Sequence, residues 1–173
     1  MPQTEMTCHS PATEQAPDGA TRIALIGSPN GGKTSIFNQL TGLHAKTGNY
    51  PGVTVSRSEG VARIHDHTFA IEDLPGTYSL SPISPDEQVV VDVLDGRMDQ
   101  VSAPDALVVV ADATALRRSL LLLAEVLPRH LPTAVVVTMT DELRRRQGSL
   151  DVTALSQALG VPMVAVVANR GIG

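Results

Sequence analysis

The sequence predicts an α/β domain built on a doubly wound, mostly parallel sheet with one antiparallel hairpin at its edge. From Thr21 onward, short apolar runs alternate with helical stretches, a pattern typical of strands joined by crossover helices. The apolar fraction is 42% but the aromatic fraction only 2%. A core of Val, Leu, Ile and Ala is typical of a parallel sheet that is buried on both faces.

The first half of this pattern contains a strand, a helix and a hairpin. Thr21–Gly27 is a buried apolar run, and a glycine-rich turn leads from it into a helix over Lys33–Thr41. We expect strands over Val53–Ile64 and Thr68–Asp73, joined in a hairpin at His65-Asp66-His67. This hairpin supplies the antiparallel edge of the predicted sheet.

The second half repeats the alternation of strand and helix. Ser84, Pro85 and Glu87 form a helix start, although Val89–Val91 favours a strand. The other predicted elements, alternately strand and helix, are Ala106–Ala111, Thr114–Leu127, Thr133–Val137, Asp151–Leu159 and the last strand Met163–Val167. A closing helix should follow to cover that strand. We therefore expect a fragment of a longer protein, with a domain over residues 21–173 that is truncated at its C-terminus.

Composition excludes several classes of function. The 13 Lys and Arg against 18 Asp and Glu give a net charge of −5, so we expect no nucleic-acid partner bound through overall charge. No run approaches the roughly 18–20 apolar residues of a membrane helix. Residues 1–20 are polar and proline-containing, and we interpret them as a disordered tail. A metal site at Cys8-His9 is the less favoured alternative.

A complete phosphate-binding motif connects the first strand to the first helix. Residues 27–34, GSPNGGKT, match G-x-x-x-x-G-K-[ST]. In a P-loop NTPase, such a loop surrounds phosphate oxygens with backbone N–H groups, the lysine reaches the β/γ phosphates, and the hydroxyl that follows binds Mg²⁺. We assign nucleotide binding here to Gly27, Asn30, Gly31, Gly32, Lys33, Thr34 and Ser35.

Two further segments fit the same chemistry. Asp73 and Gly76 frame a D-x-x-G motif at a strand end, where the carboxylate would hold Mg²⁺ through water and the Gly N–H would sense the γ-phosphate. Between the two motifs lies the loop Gly48–Thr54. We expect Thr54 to bind Mg²⁺ only when the γ-phosphate is present, with Gly52 and Val53 also near the nucleotide. The alternative for Thr54 is an ordinary strand residue.

Longer segments carry a family resemblance. GSPNGGKTSIFNQLTG, TGNYPGVTVSRSEG and DLPGTYSLSPISPDE resemble the GTPase domain of the ferrous iron transport protein B (FeoB) family, one of the Era-like GTPases. The resemblance runs from about Arg22 to Gly173. It implies a GTP-binding domain at the cytoplasmic face of the bacterial inner membrane, joined in a longer protein to a membrane-embedded iron permease. A homo-oligomer stays open.

The base-reading residues depart from the family pattern. Asp141 in Thr138-Met139-Thr140-Asp141 can accept both N–H donors of guanine, but Thr138 replaces the usual Asn. We expect Thr138 to be too short to do all that an amide does in bracing the base and the phosphate loop. Val167-Ala168 replaces Ser-Ala, so the Ala168 N–H is kept and a hydroxyl is lost. Asn169 completes the predicted base site.

Catalysis is assigned to Lys33, Asn30, Thr54 and Gly76. Many small GTPases carry a Gln after the D-x-x-G glycine to orient water, whereas this chain has Thr77, so slow GTP hydrolysis is expected. In several relatives an Asn of the phosphate loop holds K⁺. Asn30 stands at that position, with local hydrogen bonding as its alternative role.

Two other clusters and two other functions stay open. His65-Asp66-His67 has a spacing that suits a transition metal, but a polar hairpin tip is the favoured interpretation. Arg144-Arg145-Arg146 fits a solvated helix end better than a phosphate site. The competing functions are a nucleotide-gated switch with negligible turnover and an Era-like GTPase that associates with ribosomes or RNA.

Overall fold

The computed structural model describes residues 16–17, 19–168 and 171–173. The predicted tail over residues 1–20, with Cys8 and His9, therefore lies almost entirely outside the described residues, as does Asn169. The elements are β1 Thr21–Gly27, α1 Lys33–Thr41, β2 Ala45–Asn49, β3 Ser56–Ile64, β4 His67–Asp73, α2 Pro85–Leu94, β5 Ala106–Asp112, α3 Leu116–Val126, β6 Thr133–Thr138, α4 Thr140–Arg145, α5 Val152–Leu159 and β7 Met163–Ala165.

The sheet has seven strands in the order β2-β3-β4-β1-β5-β6-β7. Strands β4, β1, β5, β6 and β7 pair in parallel, and the β2–β3 and β3–β4 pairs are antiparallel. This confirms the predicted α/β fold with its mostly parallel sheet and edge hairpin. Because parallel strands end at the same edge, the residues that follow β1, β4 and β6 meet there.

Strand β2 is the element that the sequence did not predict. Its residues, AKTGN, are mostly exposed and lack an apolar alternation, so only pairing with β3 gives them strand geometry. The predicted strand over Val53–Ile64 was too long, since β3 begins at Ser56. Residues Val53 and Thr54 belong instead to the loop between β2 and β3.

Helix α2 confirms the predicted start. The Ser84 hydroxyl accepts a hydrogen bond from the Glu87 N–H, and Pro85 is the first helical residue. Val89, Val90 and Val93 are buried in the larger of two apolar cores. Packing against the sheet therefore overrides their preference for strand.

Helices α3 and α4 differ from the predicted pattern. The predicted helix over 114–127 divides into a 3₁₀ turn over Ala113–Ala115 and α3. Helix α4 was anticipated only at its end, through the interpretation of Arg144-Arg145-Arg146 as a helix end, and it begins after Met139, whose φ is +56°. Among the described residues, no helix combines the length and apolar character that crossing a membrane requires.

Candidate nucleotide-binding site

The phosphate loop joins β1 directly to α1. Asn30 and Gly32 adopt left-handed backbone conformations, with φ of +62° and +88°. Gly27 lies so close to β5 that an added Cβ would be 2.6 Å from the Val110 carbonyl oxygen. The loop therefore turns sharply, and the first N–H groups of α1 follow it, which is the arrangement that binds phosphate oxygens.

A buried carboxylate of β4 meets the end of this loop. The Lys33 ammonium group contacts Asp73 Oδ1, and the Thr34 hydroxyl donates to Asp73 Oδ2 at 3.0 Å. Lys33 is 8% exposed and Asp73 9%. Three residues that the sequence placed in two separate motifs are thus in direct contact. Carboxylate and hydroxyl oxygens are ligands that Mg²⁺ prefers, so this donor set suits that ion.

The D-x-x-G turn packs against the opposite side of the loop. A Cβ at Gly76 would lie 2.8 Å from Pro29 Cγ and 2.9 Å from the Pro29 nitrogen, so only glycine fits. The Thr77 N–H donates to the Gly27 carbonyl at 3.0 Å. Loop and turn border one open cavity of about 590 Å³, whose lining residues are Ser28, Pro29, Asn30, Gly32, Lys33, Thr34, Ser35, Gly76, Asp86 and Met139. Asp86 and Met139 were not predicted to line this cavity.

Thr54 lies apart from this cluster. It is exposed and lines a second cavity of about 740 Å³ with Asn49, Tyr50, Gly52, Val53, Val55, Pro85 and Asp86. Asp86 borders both cavities. The predicted Mg²⁺ ligands Thr34 and Asp73 are therefore brought together, whereas Thr54 is not joined to them in this structure.

A buried polar cluster under the Thr54 loop escaped the sequence reasoning. The Tyr50 hydroxyl and Arg57 Nε each donate to Glu72 Oε1 at 2.9 Å, and Arg22 donates to Glu72 Oε2 at 3.3 Å. Glu72 is only 4% exposed. Burial, reinforced by the Glu72 carboxylate, raises the pKa of the Tyr50 phenol far above its usual range. The loop that carries Thr54 is thus anchored on the residue before Asp73.

The segment after Gly76 is fastened to two helices. The Thr77 side chain is buried, and its hydroxyl donates to the Ser79 carbonyl at 2.6 Å. The Ile83 N–H donates to Glu87 of α2 at 3.0 Å, and the Leu80 N–H donates to Glu125 of α3. Sequence reasoning used Glu87 only as part of a helix start and did not find Glu125.

The residues predicted to read the base begin at Thr138, the last residue of β6. Thr138 is buried and donates to the Gly31 carbonyl at 2.6 Å, so its short side chain does reach the phosphate loop. Asp141 is in the first turn of α4, a quarter exposed, and its Oδ2 lies 3.3 Å from Arg145. Val167 pairs with Ile172, and Ala168 precedes the undescribed Asn169.

The two other charged clusters match the interpretations favoured from the sequence, a polar hairpin tip and a solvated helix end. His65 occupies the hairpin turn with φ of +53°, and His65, Asp66 and His67 are all exposed. Within the described part of the chain, no group of three or more His, Cys, Asp or Glu residues is arranged to hold a metal ion. Arg145 and Arg146 form ion pairs with Glu142 at the end of α4, as expected of a solvated helix end.

Comparisons with known proteins agree with this geometry. The family model for ferrous iron transport protein B matches residues 21–173. The Fe(2+) transport protein A/Fe(2+) transporter FeoB fusion protein of Porphyromonas gingivalis is 44% identical over 161 residues, which are 92% of this chain and 19% of that protein. The chain thus spans about a fifth of the length of the curated relatives it matches.

Solved structures give the same result. The crystal structure of the G domain of the T. maritima FeoB iron transporter matches with a TM-score of 0.79 and 39% identity, covering 89% of this chain and 91% of that one. The cytosolic domain of T. maritima FeoB in a GDP form matches with a TM-score of 0.81 and 38% identity, over 89% of this chain and 59% of that one. The phosphate loop, the D-x-x-G turn and these matches together show that the chain belongs to the ferrous iron transport protein B family and corresponds to its G domain.

Proposed function

We propose that this domain binds GTP and GDP with Mg²⁺, hydrolyses GTP slowly, and serves as the regulatory domain of a bacterial ferrous iron transporter. The observation that carries the proposal is the contact of Lys33 and Thr34 with Asp73 at the start of α1. This contact brings the phosphate loop and the D-x-x-G motif together, and residues of both motifs line one cavity. The solved relatives that contain GDP support guanine nucleotides as the ligand class.

Each loop residue has a defined task in this proposal. The N–H groups of Gly32 and of the first turn of α1 face the phosphates, and Lys33 neutralises the β/γ oxygens. Thr34 would hold Mg²⁺ directly, with Asp73 acting through water. The metal offsets charge that builds up on the phosphate oxygens. Asp73 contacts both Lys33 and Thr34 and so helps to fix the orientation of both side chains.

Two further residues belong to the triphosphate state. Thr54 joins the Mg²⁺ site when a γ-phosphate is present, and the Gly76 N–H senses that phosphate. Gly76 is already pressed against the phosphate loop, whereas Thr54 must approach from its own cavity. Asn30, exposed on the wall of the phosphate cavity, would hold K⁺ as an activator.

The surroundings of Thr77 support the proposal of slow turnover. Its N–H and hydroxyl are already used by the Gly27 and Ser79 carbonyls, and its side chain is buried. It therefore cannot orient an attacking water as a Gln does. The same observation supports the second candidate, a switch that binds GTP with negligible turnover.

The base site is assigned to Asp141, which accepts from the guanine ring, and to the Ala168 N–H, and Val167 and Asn169 are kept as members predicted from the sequence. The relatives are named Fe(2+) transporters, and this chain spans only a fifth of their length. The membrane-embedded permease is accordingly a proposed partner, and the cytoplasmic face of the inner membrane the proposed location.

Calorimetric titration with GDP, a non-hydrolysable GTP analogue and ATP, each with and without Mg²⁺, tests the binding proposal. We expect both guanine nucleotides to bind and ATP to bind at least tenfold more weakly. Equal affinity for ATP would contradict it. Phosphate release at saturating GTP, with and without K⁺, then separates slow hydrolysis from the switch that does not turn over.

A further inference from the structure

Thr138 connects the base motif to the phosphate loop. It is the last residue of β6 and is 2% exposed. Its hydroxyl oxygen is 2.6 Å from the Gly31 carbonyl oxygen and 3.3 Å from that of Ala111. A hydroxyl has one proton to donate, so the shorter contact identifies Gly31 as the principal acceptor. This bond joins residues that are 107 positions apart.

The methyl group of the same side chain faces the next loop residue. A Cβ built on Gly32 would lie 3.4 Å from Thr138 Cγ2. The Gly31 N–H donates back to the Ser28 carbonyl at 3.2 Å. Gly31 and Gly32, the two residues before Lys33, are thus held between Thr138 and the preceding turn of the loop.

We propose that Thr138 is a positioning residue for the phosphate loop and takes no part in reading the base. The inference rests on the proposed nucleotide-binding function. The amide of an Asn has two N–H donors, whereas Thr has a single proton, which the Gly31 carbonyl takes. No donor remains for a purine. Base selectivity then falls to Asp141, so loop order and base selectivity reside in different side chains.

The energetic reason is preorganisation. A buried carbonyl that loses its donor destabilises the conformation that buried it. Because the Thr138–Gly31 bond lies entirely within the protein and involves no nucleotide atom, it reduces the loop ordering that binding must otherwise supply. Removing the hydroxyl should therefore lower the affinity for every nucleotide that carries a diphosphate, and by the same factor whatever the base.

The test compares Thr138→Ala with Thr138→Ser, which keeps the donor. Dissociation constants are measured for GDP and for inosine diphosphate, which lacks the amino group read by Asp141. We expect the Ala variant to raise both dissociation constants about 10-fold and to leave their ratio unchanged. The Ser variant should have dissociation constants within about 2-fold of the wild type. The ³¹P resonance of the bound β-phosphate should shift in the Ala variant, because the N–H groups around it move.

Each alternative has its own signature. A changed ratio of the two dissociation constants would show that Thr138 reads the base and would overturn the proposal. A lower melting temperature with unchanged affinities and ³¹P shift would also overturn it, by showing a purely structural role. Should the Ala variant not fold, Thr138→Val makes the same test, because a carbon cannot approach a carbonyl to 2.6 Å and must displace Gly31. If wild type binds ADP as well as GDP, the proposed function fails, whereas an equal loss in the Ala variant would still support the role of Thr138.

Discussion

The proposed phosphate side and the proposed base side of the site are built differently. On the phosphate side, Lys33 and Asp73 are buried and contact each other, and Gly76 is pressed against the loop. On the base side, Asp141 is partly exposed and pairs with Arg145, one turn further along the six-residue helix α4. Thr138 faces the phosphate loop from this side.

The difference teaches where binding free energy and selectivity come from. Buried, mutually paired groups are costly to separate, so the phosphate side tolerates little change. A partly exposed carboxylate in an ion pair within one helix is screened by water, so a change of its partner costs little interaction free energy. We therefore expect affinity to reside on the phosphate side and selectivity to depend on one side chain of the base side.

The largest expected effect is that of Lys33→Ala. No other cation of the loop reaches the β/γ oxygens, and the variant leaves the buried Asp73 carboxylate without its ammonium partner. Triphosphate binding should fall below detection in calorimetry while circular dichroism shows an intact fold. Near-normal GTP affinity in a folded variant would contradict the entire nucleotide assignment.

Asp141→Asn should produce the next largest effect, and only on the base side. Asn can donate to the carbonyl that xanthine carries where guanine has its amino group. The affinity for GDP should fall by about 10²-fold, because charge-assisted hydrogen bonds are lost. The affinity for xanthosine diphosphate should rise. Competition binding with both nucleotides measures the exchange. If xanthosine diphosphate gains nothing and wild type binds ATP as well as GTP, Asp141 does not read the base.

Thr54→Ala tests whether a third region joins the phosphate side. Thr54 lines a separate cavity, so it should contribute only after its loop moves towards a bound γ-phosphate. The variant should bind a Mg²⁺–GTP analogue about 30-fold more weakly, the value of one charge-assisted contact, and GDP almost normally. Equal losses for both nucleotides, measured by the same titration, would assign Thr54 a structural role.

The potassium effect at Asn30 should be smaller. Charge moves onto the β–γ bridging oxygen as the bond to the γ-phosphoryl group breaks, and a cation fixed there favours the transition state. Hydrolysis at saturating GTP should be about 10-fold faster in KCl than in NaCl at equal ionic strength, or ~1.4 kcal/mol. Asn30→Ala should remove the difference and leave GDP affinity intact. A potassium effect that persists in the Ala variant would mean that Asn30 only shapes the loop.

The smallest effect is expected for Arg145→Ala. Arg145 is largely exposed, and its pairs with Asp141 and Glu142 lie within one helix. Such pairs contribute about 0.3–0.5 kcal/mol, so freeing Asp141 should change GDP affinity by at most about 2-fold. The matched control is Arg146→Ala, because the neighbouring Arg146 contacts Glu142 but not Asp141. A 10-fold change specific to Arg145 would show that the base side is more rigidly organised than its exposure suggests.

How much the sequence predicted depends on how local each signal is. The phosphate loop has a fixed spacing between a strand and a helix, so its residues could be anticipated, whereas the direct contact between Lys33 and Asp73 was not predicted. Strand β2 could not, because AKTGN carries no pattern of its own and is held by β3. The Glu72 cluster was also missed, since a Glu in HTFAIED gives no sign that two arginines and a tyrosine surround it.

The anchoring of Tyr50 sets the mechanics of the loop that carries Thr54. The Tyr50 N–H donates to the Val55 carbonyl at 2.9 Å, and both residues are buried, so the four residues between them form a short closed arc with fixed ends. Consecutive Cα atoms are about 3.8 Å apart, so the Thr54 Cα stays within that distance of the Cα of the buried Val55. A larger displacement of Thr54 would require the hydrogen bond between the Tyr50 hydroxyl and Glu72 to break.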